Sequence, residues 1–342
     1  MDNYYNIPAI SNSLLNIYEK SPLTAFKMLS GEIRQKDTED MRLGRLFHKK
    51  MLQPDNLNEE FIIDNCIKPK SQQQHQFCNE LLIKKSQDIT NLYLGIYKEK
   101  DTKKAYENAI KMKEEFARYV EIQNEIITTG KTLVSKEEIA LIDKMIDAVN
   151  KNMGIQKIFN NCSNGFQLIE FPLFFNYKPL DTKNEAPLQC KSKPDKIIIK
   201  FDKTSHTIDI IELKTCSHDV LEAFRREIFT RKYYRQLAFY EIALINANNL
   251  MDELKRQGAR DIIHEDITDC DFNYYIIAVN KGPEIFDSVV YRIDNKCIIN
   301  GTQEIYKLLK DIYYAKLNNW WEYPIEYYTK MGILDLVPSI YE

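Results

Sequence analysis

The chain has 342 residues, with 47 Lys and Arg against 50 Asp and Glu and a formal net charge of −3. That length suits one large domain or two ordinary ones, and the charge balance excludes a uniformly basic nucleic-acid coat while leaving room for an enzyme with a local basic groove. Its 7 cysteines include no Cys-x-x-Cys pair, so neither a disulfide framework, nor zinc, nor an iron–sulfur cluster is expected; with no basic-then-apolar leader and no apolar run of membrane-spanning length, a cytoplasmic protein with no membrane partner is expected.

Ser11-Asn12-Ser13 ahead of Leu14 and Leu15 reads as a helix start, and Ser21-Pro22 as another, running to about Leu29. Residues 39–53 make a third helix, with Gly44 and His48 one turn apart on the same face. The small glycine there suits close packing. Residues 100–155 are charged with helical periodicity. One helix over 103–127 stops at Thr128-Thr129-Gly130, and Ser135 with Glu138 forms a capping box that opens another, through about Asn150.

From Phe166 the period changes. Residues 166–175 read as one strand in which Pro172 favours an edge or a bulge, and 178–189 as a loop. Residues 195–201 and 208–214 read as adjacent strands joined by a turn at 203–206. One long helix is expected over 219–248, with Arg225, Arg226, Arg231, Lys232 and Arg235 interleaved with Phe224, Phe229, Tyr233 and Tyr234. Strands follow over 272–279 and 285–293, then a helix over 302–318. The fold class is therefore mixed α/β: a central mixed sheet flanked by helices. A single domain is expected over 1–342, with N-terminal helices over 1–60, a helical insertion at about 64–160 and a core at about 161–342.

Asp195 opens the first of the adjacent strands, and Glu212 and Lys214 close the second. Side chains alternate along a strand, so Glu212 and Lys214 share a face and Leu213 takes the other. Two carboxylates supply the hard oxygen ligands that Mg²⁺ prefers, and the metal can activate water and neutralise phosphate charge. A neighbouring lysine can hold the attacking water and stabilise developing charge. That set suits phosphodiester hydrolysis. Further along, Gln236 and Tyr240 stand four apart, on one face of a helix.

The ordered set of Gly44-x-x-x-His48, Pro194-Asp195, Glu212-Leu213-Lys214 and Gln236-x-x-x-Tyr240 resembles the PD-(D/E)XK nuclease superfamily, in the branch with an N-terminal histidine. Residues 10–14, 20–22, 41–48 and 53–55, the segment 130–138, Glu170 to Phe175, Lys193-Pro194-Asp195, Glu212 to Thr215, Ile277 to Val279 and Trp321-x-Tyr323 resemble the RecE (exonuclease VIII) family of phage and prophage exonucleases, over nearly the whole chain. The resemblance implies a restriction-endonuclease-like core and a Mg²⁺-dependent exonuclease, with Mn²⁺ able to substitute. Such an enzyme degrades one strand of linear double-stranded DNA from its 5′ end. It leaves 3′ single strands for an annealing protein, and works as a homo-oligomer such as a tetrameric ring.

Carried over residue by residue, His48, Asp195, Glu212, the Leu213 backbone carbonyl and Glu170 would surround the metal. Lys214 would position water, and Gln236 and Tyr240 would line the site. Lys193 stands where an arginine often precedes Pro-Asp, which replaces a bidentate fork with a point charge. The basic and aromatic segment that carries Arg225, Arg226, Arg231 and Lys232 is a candidate DNA-backbone surface, with Lys193, Arg42 and Arg45 as further phosphate contacts.

Overall fold

The computed structural model describes residues 4–34, 37–84, 88–160, 165–180, 182, 185–201, 206–259, 262, 264–282 and 286–331. Cys162, Pro283 and most of the turn expected at 203–206 lie outside them. The chain forms two compact units: Arg45–Lys144, and Met1–Gly44 together with Met145–Glu342. The boundary after Gly44 falls inside the helix Glu39–Leu52.

In the smaller unit, strands β1 (Phe61–Ile63) and β2 (Thr132–Val134) pair in parallel. The helix Thr102–Thr129 begins where the Asp101 carboxylate accepts the amides of Lys103 and Lys104. It ends at Gly130, φ 72°, a left-handed position that glycine adopts without Cβ strain. The capping box forms as read. The Ser135 amide donates to the Glu138 carboxylate at 2.8 Å, and the Glu138 amide donates to Ser135 Oγ at 3.1 Å, opening the helix Lys136–Lys151. Phe77, Tyr93, Ala105 and Ala109 make this unit's local core.

The larger unit holds the mixed sheet. Its strands are β3 (Gly165–Ile169), β6 (Lys196–Phe201), β7 (His206–Cys216), β8 (Asp271–Asn280) and β9 (Ser288–Arg292), side by side in that order. A separate antiparallel pair is made by β4 (Leu173–Tyr177) and β5 (Leu188–Ser192). In the main sheet β7 and β8 run parallel while the other pairs are antiparallel. The fold is a mixed α/β arrangement with helices against the sheet. Ile208 and Ile210 of β7 join Leu237, Phe239 and Ala243 of the helix Tyr233–Asn246 in one buried core. Burying each large apolar side chain there contributes roughly 1.5–3 kcal/mol.

Four expectations are corrected. The strand read over 166–175 is two strands. Glu170 takes φ 45°, in the left-handed region, and Pro172 lacks an amide for a ladder, so β3 stops and β4 starts in a different sheet. The loop read over 178–189 ends early, because Leu188 and Gln189 already belong to β5. The helix read over 219–248 is two, Glu222–Thr230 and Tyr233–Asn246, with Lys232 at φ 54° between them. A left-handed residue reverses the chain direction and ends the helical hydrogen-bond run. The last long helix starts earlier than read, at Asn295, because the Asp294 side chain caps it by accepting the Lys296 amide at 2.8 Å.

No helix among the described residues is long and apolar enough to cross a membrane.

Candidate functional site

The site is set by where strand β6 ends. The antiparallel β6–β7 register closes at Lys196 opposite Ile211, while β7 continues beside β8 to Cys216. Residues from Glu212 onward therefore lack a β6 partner. Asp195, the residue just before β6, fills the gap: its Oδ2 accepts the Leu213 amide at 2.7 Å. A carboxylate takes the place of a ladder carbonyl. Along a strand the N–H and C=O of one residue point to the same edge, so the Leu213 carbonyl also lies on the Asp195 side.

On the helix-facing side of β7, the aliphatic row Ile208, Ile210 continues as Glu212 and Lys214. Glu212 is 2% exposed and Asp195 7%. A buried carboxylate needs several donors, because water cannot solvate it. Glu212 has three. Its Oε1 accepts from Lys214 Nζ at 2.5 Å and from Gln236 Nε2 at 2.8 Å, and its Oε2 accepts from the Tyr240 hydroxyl at 2.9 Å. Gln236 also donates to the Tyr240 oxygen. The four-residue spacing puts Gln236 and Tyr240 on one face of the helix Tyr233–Asn246, aimed at the strand residue they bind.

Burial, then the Glu212 and Asp195 charges, raise the Tyr240 phenol well above its ordinary pKa, so it remains a donor. Burial works against the Lys214 charge, but the Glu212 and Asp195 carboxylates outweigh it and lift the lysine above its usual value. The ammonium also lies 4.8 Å over the Tyr233 ring. Asp195, Glu212, Lys214, Gln236 and Tyr240 thus converge from the β6 lead-in, β7 and one helix. The cluster offers carboxylate oxygens, a backbone carbonyl and a charged lysine within a few ångströms. It can hold a hard cation and orient a small polar molecule beside it.

The other sequence-predicted residues are placed differently. Glu170 takes the turn between β3 and β4, its amide donating to the Asp195 carbonyl at 3.0 Å. Its carboxylate lies 3.7 Å from Lys193 Nζ, and Lys193 also covers the Tyr5 ring at 5.3 Å. His48 and Arg45 belong to the smaller unit, where the His48 ring meets Phe47 edge-on at 6.0 Å. Arg42 lies 3.9 Å from Glu39. In the larger unit a Cβ on Gly44 would stand 3.7 Å from Thr215 Oγ1, an ordinary contact.

The basic segment divides. Arg225 is exposed, as is Arg226, which pairs with Glu222 at 3.1 Å. Arg231 binds Glu227 at 2.6 Å, and Lys232 binds Glu19 at 2.6 Å and Glu304 at 3.3 Å. Arg235 leaves the surface altogether. It is fully buried, with Glu304 at 3.0 Å and Glu19 at 2.9 Å. Among the described residues no group of three or more His, Cys, Asp or Glu side chains is gathered to hold a metal ion.

Sequence reasoning named Tyr233 only as an aromatic of the basic segment and passed over Glu227 and His218. Their only signals were spacing: His218 follows Lys214 by four residues, and Tyr233 precedes Gln236 by three.

No protein-family model matches the sequence. No curated protein matches it either. Among solved structures, a protein from Eubacterium rectale provisionally named an exonuclease is similar at 10% identity. The match covers 99% of this chain and 94% of that one, with a TM-score of 0.48. SSO0001 is similar at 12% identity over 77% of this chain and 85% of that one, with a TM-score of 0.24.

Proposed function

We propose that this chain is a Mg²⁺-dependent deoxyribonuclease of the PD-(D/E)XK kind, and within it an exonuclease that degrades one strand of linear duplex DNA from the 5′ end. The observation that carries the reading is the convergence of buried Asp195 and Glu212 with half-buried Lys214, and with Gln236 and Tyr240 holding Glu212. Burying two carboxylates beside a half-buried ammonium is expensive, and a purely structural strand end has no need of them.

The donor set fits Mg²⁺. That ion takes one or two carboxylates, keeps several waters and accepts phosphate oxygens, so a cage of three acidic side chains is not required. Asp195, Glu212 and the Leu213 carbonyl would hold it, with Glu170 nearby. Mn²⁺ would serve in its place. Bound there, the metal would lower the pKa of a coordinated water and neutralise charge on the phosphate.

The protein's own groups do the rest. Lys214 holds the attacking water and offers its charge to the developing oxyanion. Tyr240 and Gln236 fix the Glu212 carboxylate so that its oxygens do not rotate away. Arg225, Arg226 and Arg231 offer cations to the DNA backbone, as do Lys193, Arg42, Arg45 and Lys232. Work on duplex ends suits a ring of identical subunits, such as a tetramer, and the 3′ single strands would pass to an annealing protein.

The test uses linear duplex labelled at either the 5′ or the 3′ end, circular duplex, and Mg²⁺ or EDTA. Linear DNA should lose its 5′ label first, only with Mg²⁺ or Mn²⁺, while circles survive. Asp195→Ala and Lys214→Ala should abolish digestion and stay folded. Full activity in either variant would sink the site assignment. Early release of 3′ label would reverse the polarity, and cutting of circles would make the enzyme an endonuclease.

A further inference from the structure

We infer that Tyr233 is the positioning residue for Lys214, and that Glu227, gripped by His218 and Arg231, holds the Tyr233 ring in place. The inference rests on the nuclease reading above and adds to it what aims the lysine.

A lysine is a point charge on a flexible four-carbon stem, and nothing in its own chemistry fixes its direction. Lys214 meets Glu212 at 2.5 Å on one side. Left to that attraction alone, the ammonium would settle on the carboxylate and turn from any water beside it. On another side it lies 4.8 Å over the Tyr233 ring. The negative face of an aromatic ring attracts a cation, and more strongly where water is excluded. The lysine is therefore held between two attractions.

The ring is itself held. The Tyr233 hydroxyl donates to Glu227 Oε1 at 3.0 Å. The other carboxylate oxygen accepts from His218 Nε2 at 2.7 Å, and Arg231 Nε binds Oε1 at 2.6 Å. Phe224 packs between these groups, its ring centre 6.0 Å from that of Tyr233 and 6.4 Å from that of His218. The residues come from both helices flanking the Lys232 break and from the segment after β7. The left-handed Lys232 makes Tyr233 the first residue of its helix, which turns the ring back towards Glu227. Burial raises the Tyr233 phenol to about 12, so the donor persists at neutral pH.

Tyr233→Leu keeps bulk and removes the ring face, whereas Tyr233→Phe keeps the face and removes only the tether. With saturating linear duplex and Mg²⁺, Tyr233→Leu should lower kcat about tenfold, the scale of one lost cation–ring attraction. KM and the unfolding midpoint should stay near those of wild type, and Tyr233→Phe should recover only part of the loss, the remainder reporting the tether to Glu227. Equal kcat in the Leu and Phe variants would overturn the inference, as would a loss confined to KM. A spectroscopic arm separates this from the nuclease reading. In protein with ¹³C-labelled lysine, the Lys214 ε-methylene, assigned by Lys214→Arg, should be shifted upfield in wild type and Tyr233→Phe and lose that shift in Tyr233→Leu. An unchanged signal would overturn the positioning role even if DNA were degraded. The expected shifts with no DNA hydrolysis would overturn the nuclease reading and leave Tyr233 holding Lys214.

Discussion

The Tyr240 hydroxyl donates to Glu212 Oε2 at 2.9 Å between side chains that are 5% and 2% exposed. Water cannot replace that bond. Tyr240→Phe removes one oxygen and leaves a buried carboxylate oxygen without its donor. A hydrogen bond to a charged group contributes about 1.5–3 kcal/mol, and the buried carboxylate is left with one donor fewer. Urea unfolding of Tyr240→Phe should show an unfolding free energy lowered by an amount in that range, seen as a lower midpoint with an unchanged slope. An unshifted midpoint would mean that Glu212 finds another donor.

Arg235 and Arg226 look alike in the sequence and should behave differently on mutation. Arg235 is fully buried between Glu19 and Glu304, whereas Arg226 is exposed and pairs with Glu222 one turn away. Removing the buried guanidinium leaves a cavity and two carboxylates without their partner. Because Glu19 and Glu304 are 38% and 33% exposed, water solvates them and the cost falls below the ~3–5 kcal/mol of a wholly buried pair. An exposed i,i+4 pair contributes about 0.3–0.5 kcal/mol. Arg235→Ala should destabilise the protein measurably and Arg226→Ala hardly at all, as read by thermal or urea unfolding of the two variants side by side.

Two glycines make a similar contrast. A Cβ on Gly301 would stand 3.0 Å from Arg235 Cα and 3.1 Å from Ala238 Cβ, so the helix Asn295–Asn318 approaches the helix Tyr233–Asn246 closely there. Overpacking of that kind costs about 1–3 kcal/mol. On Gly44 the Cβ would meet only Thr215 Oγ1, at 3.7 Å. There the gain in helix propensity, about 0.4–1 kcal/mol, should prevail. Gly301→Ala should lower the unfolding midpoint and Gly44→Ala should raise it.

Much of the β7 region was legible from period alone. Alternation put Glu212 and Lys214 on one face, and the four-residue spacing of Gln236 and Tyr240 put both on one helical face; the structure joins the two faces. What remained hidden depends on single backbone angles. Glu170 and Lys232 take left-handed φ values of 45° and 54° although neither is glycine. No propensity marks a glutamate or a lysine for that conformation, so the split strand and the split helix could not be read. The fate of Arg235 was hidden for the same reason. A helix running straight through 232 would have left it on a basic face, whereas the break turns it inward to Glu19 and Glu304.

Asp311 makes stability depend on pH. Burial first, then the Glu326 charge, raise its pKa from 3.8 to about 6. The folded state thus holds this proton more tightly than the unfolded chain does. Between about pH 4 and 6 the native protein binds the extra proton, so stability falls as pH rises through that window and is flat in this term above it. Asp311→Asn removes the term. Because the site is partly exposed, the variant should gain on the order of 1 kcal/mol over wild type at pH 7, and the gain should vanish towards pH 4. Unfolding midpoints of both proteins from pH 4 to 8 decide it: parallel curves would show that Asp311 titrates normally.

Metal binding can be read without DNA. A ligand that binds only the folded state stabilises it by about 2.7 kcal/mol at a hundred times its dissociation constant. Mg²⁺ should therefore raise the unfolding midpoint of wild type, and EDTA should return it. Two opposed effects meet in the variants. Asp195→Asn removes a charge that would hold the ion, yet its amide oxygen can still accept the Leu213 amide that Asp195 Oδ2 accepts at 2.7 Å. It should fold and lose the Mg²⁺ response. Lys214→Met removes the cation that sits 2.5 Å from Glu212 and would compete for the same oxygens, so it should unfold more easily without metal and respond more strongly to it. Equal Mg²⁺ responses in wild type and Asp195→Asn would place the ion elsewhere.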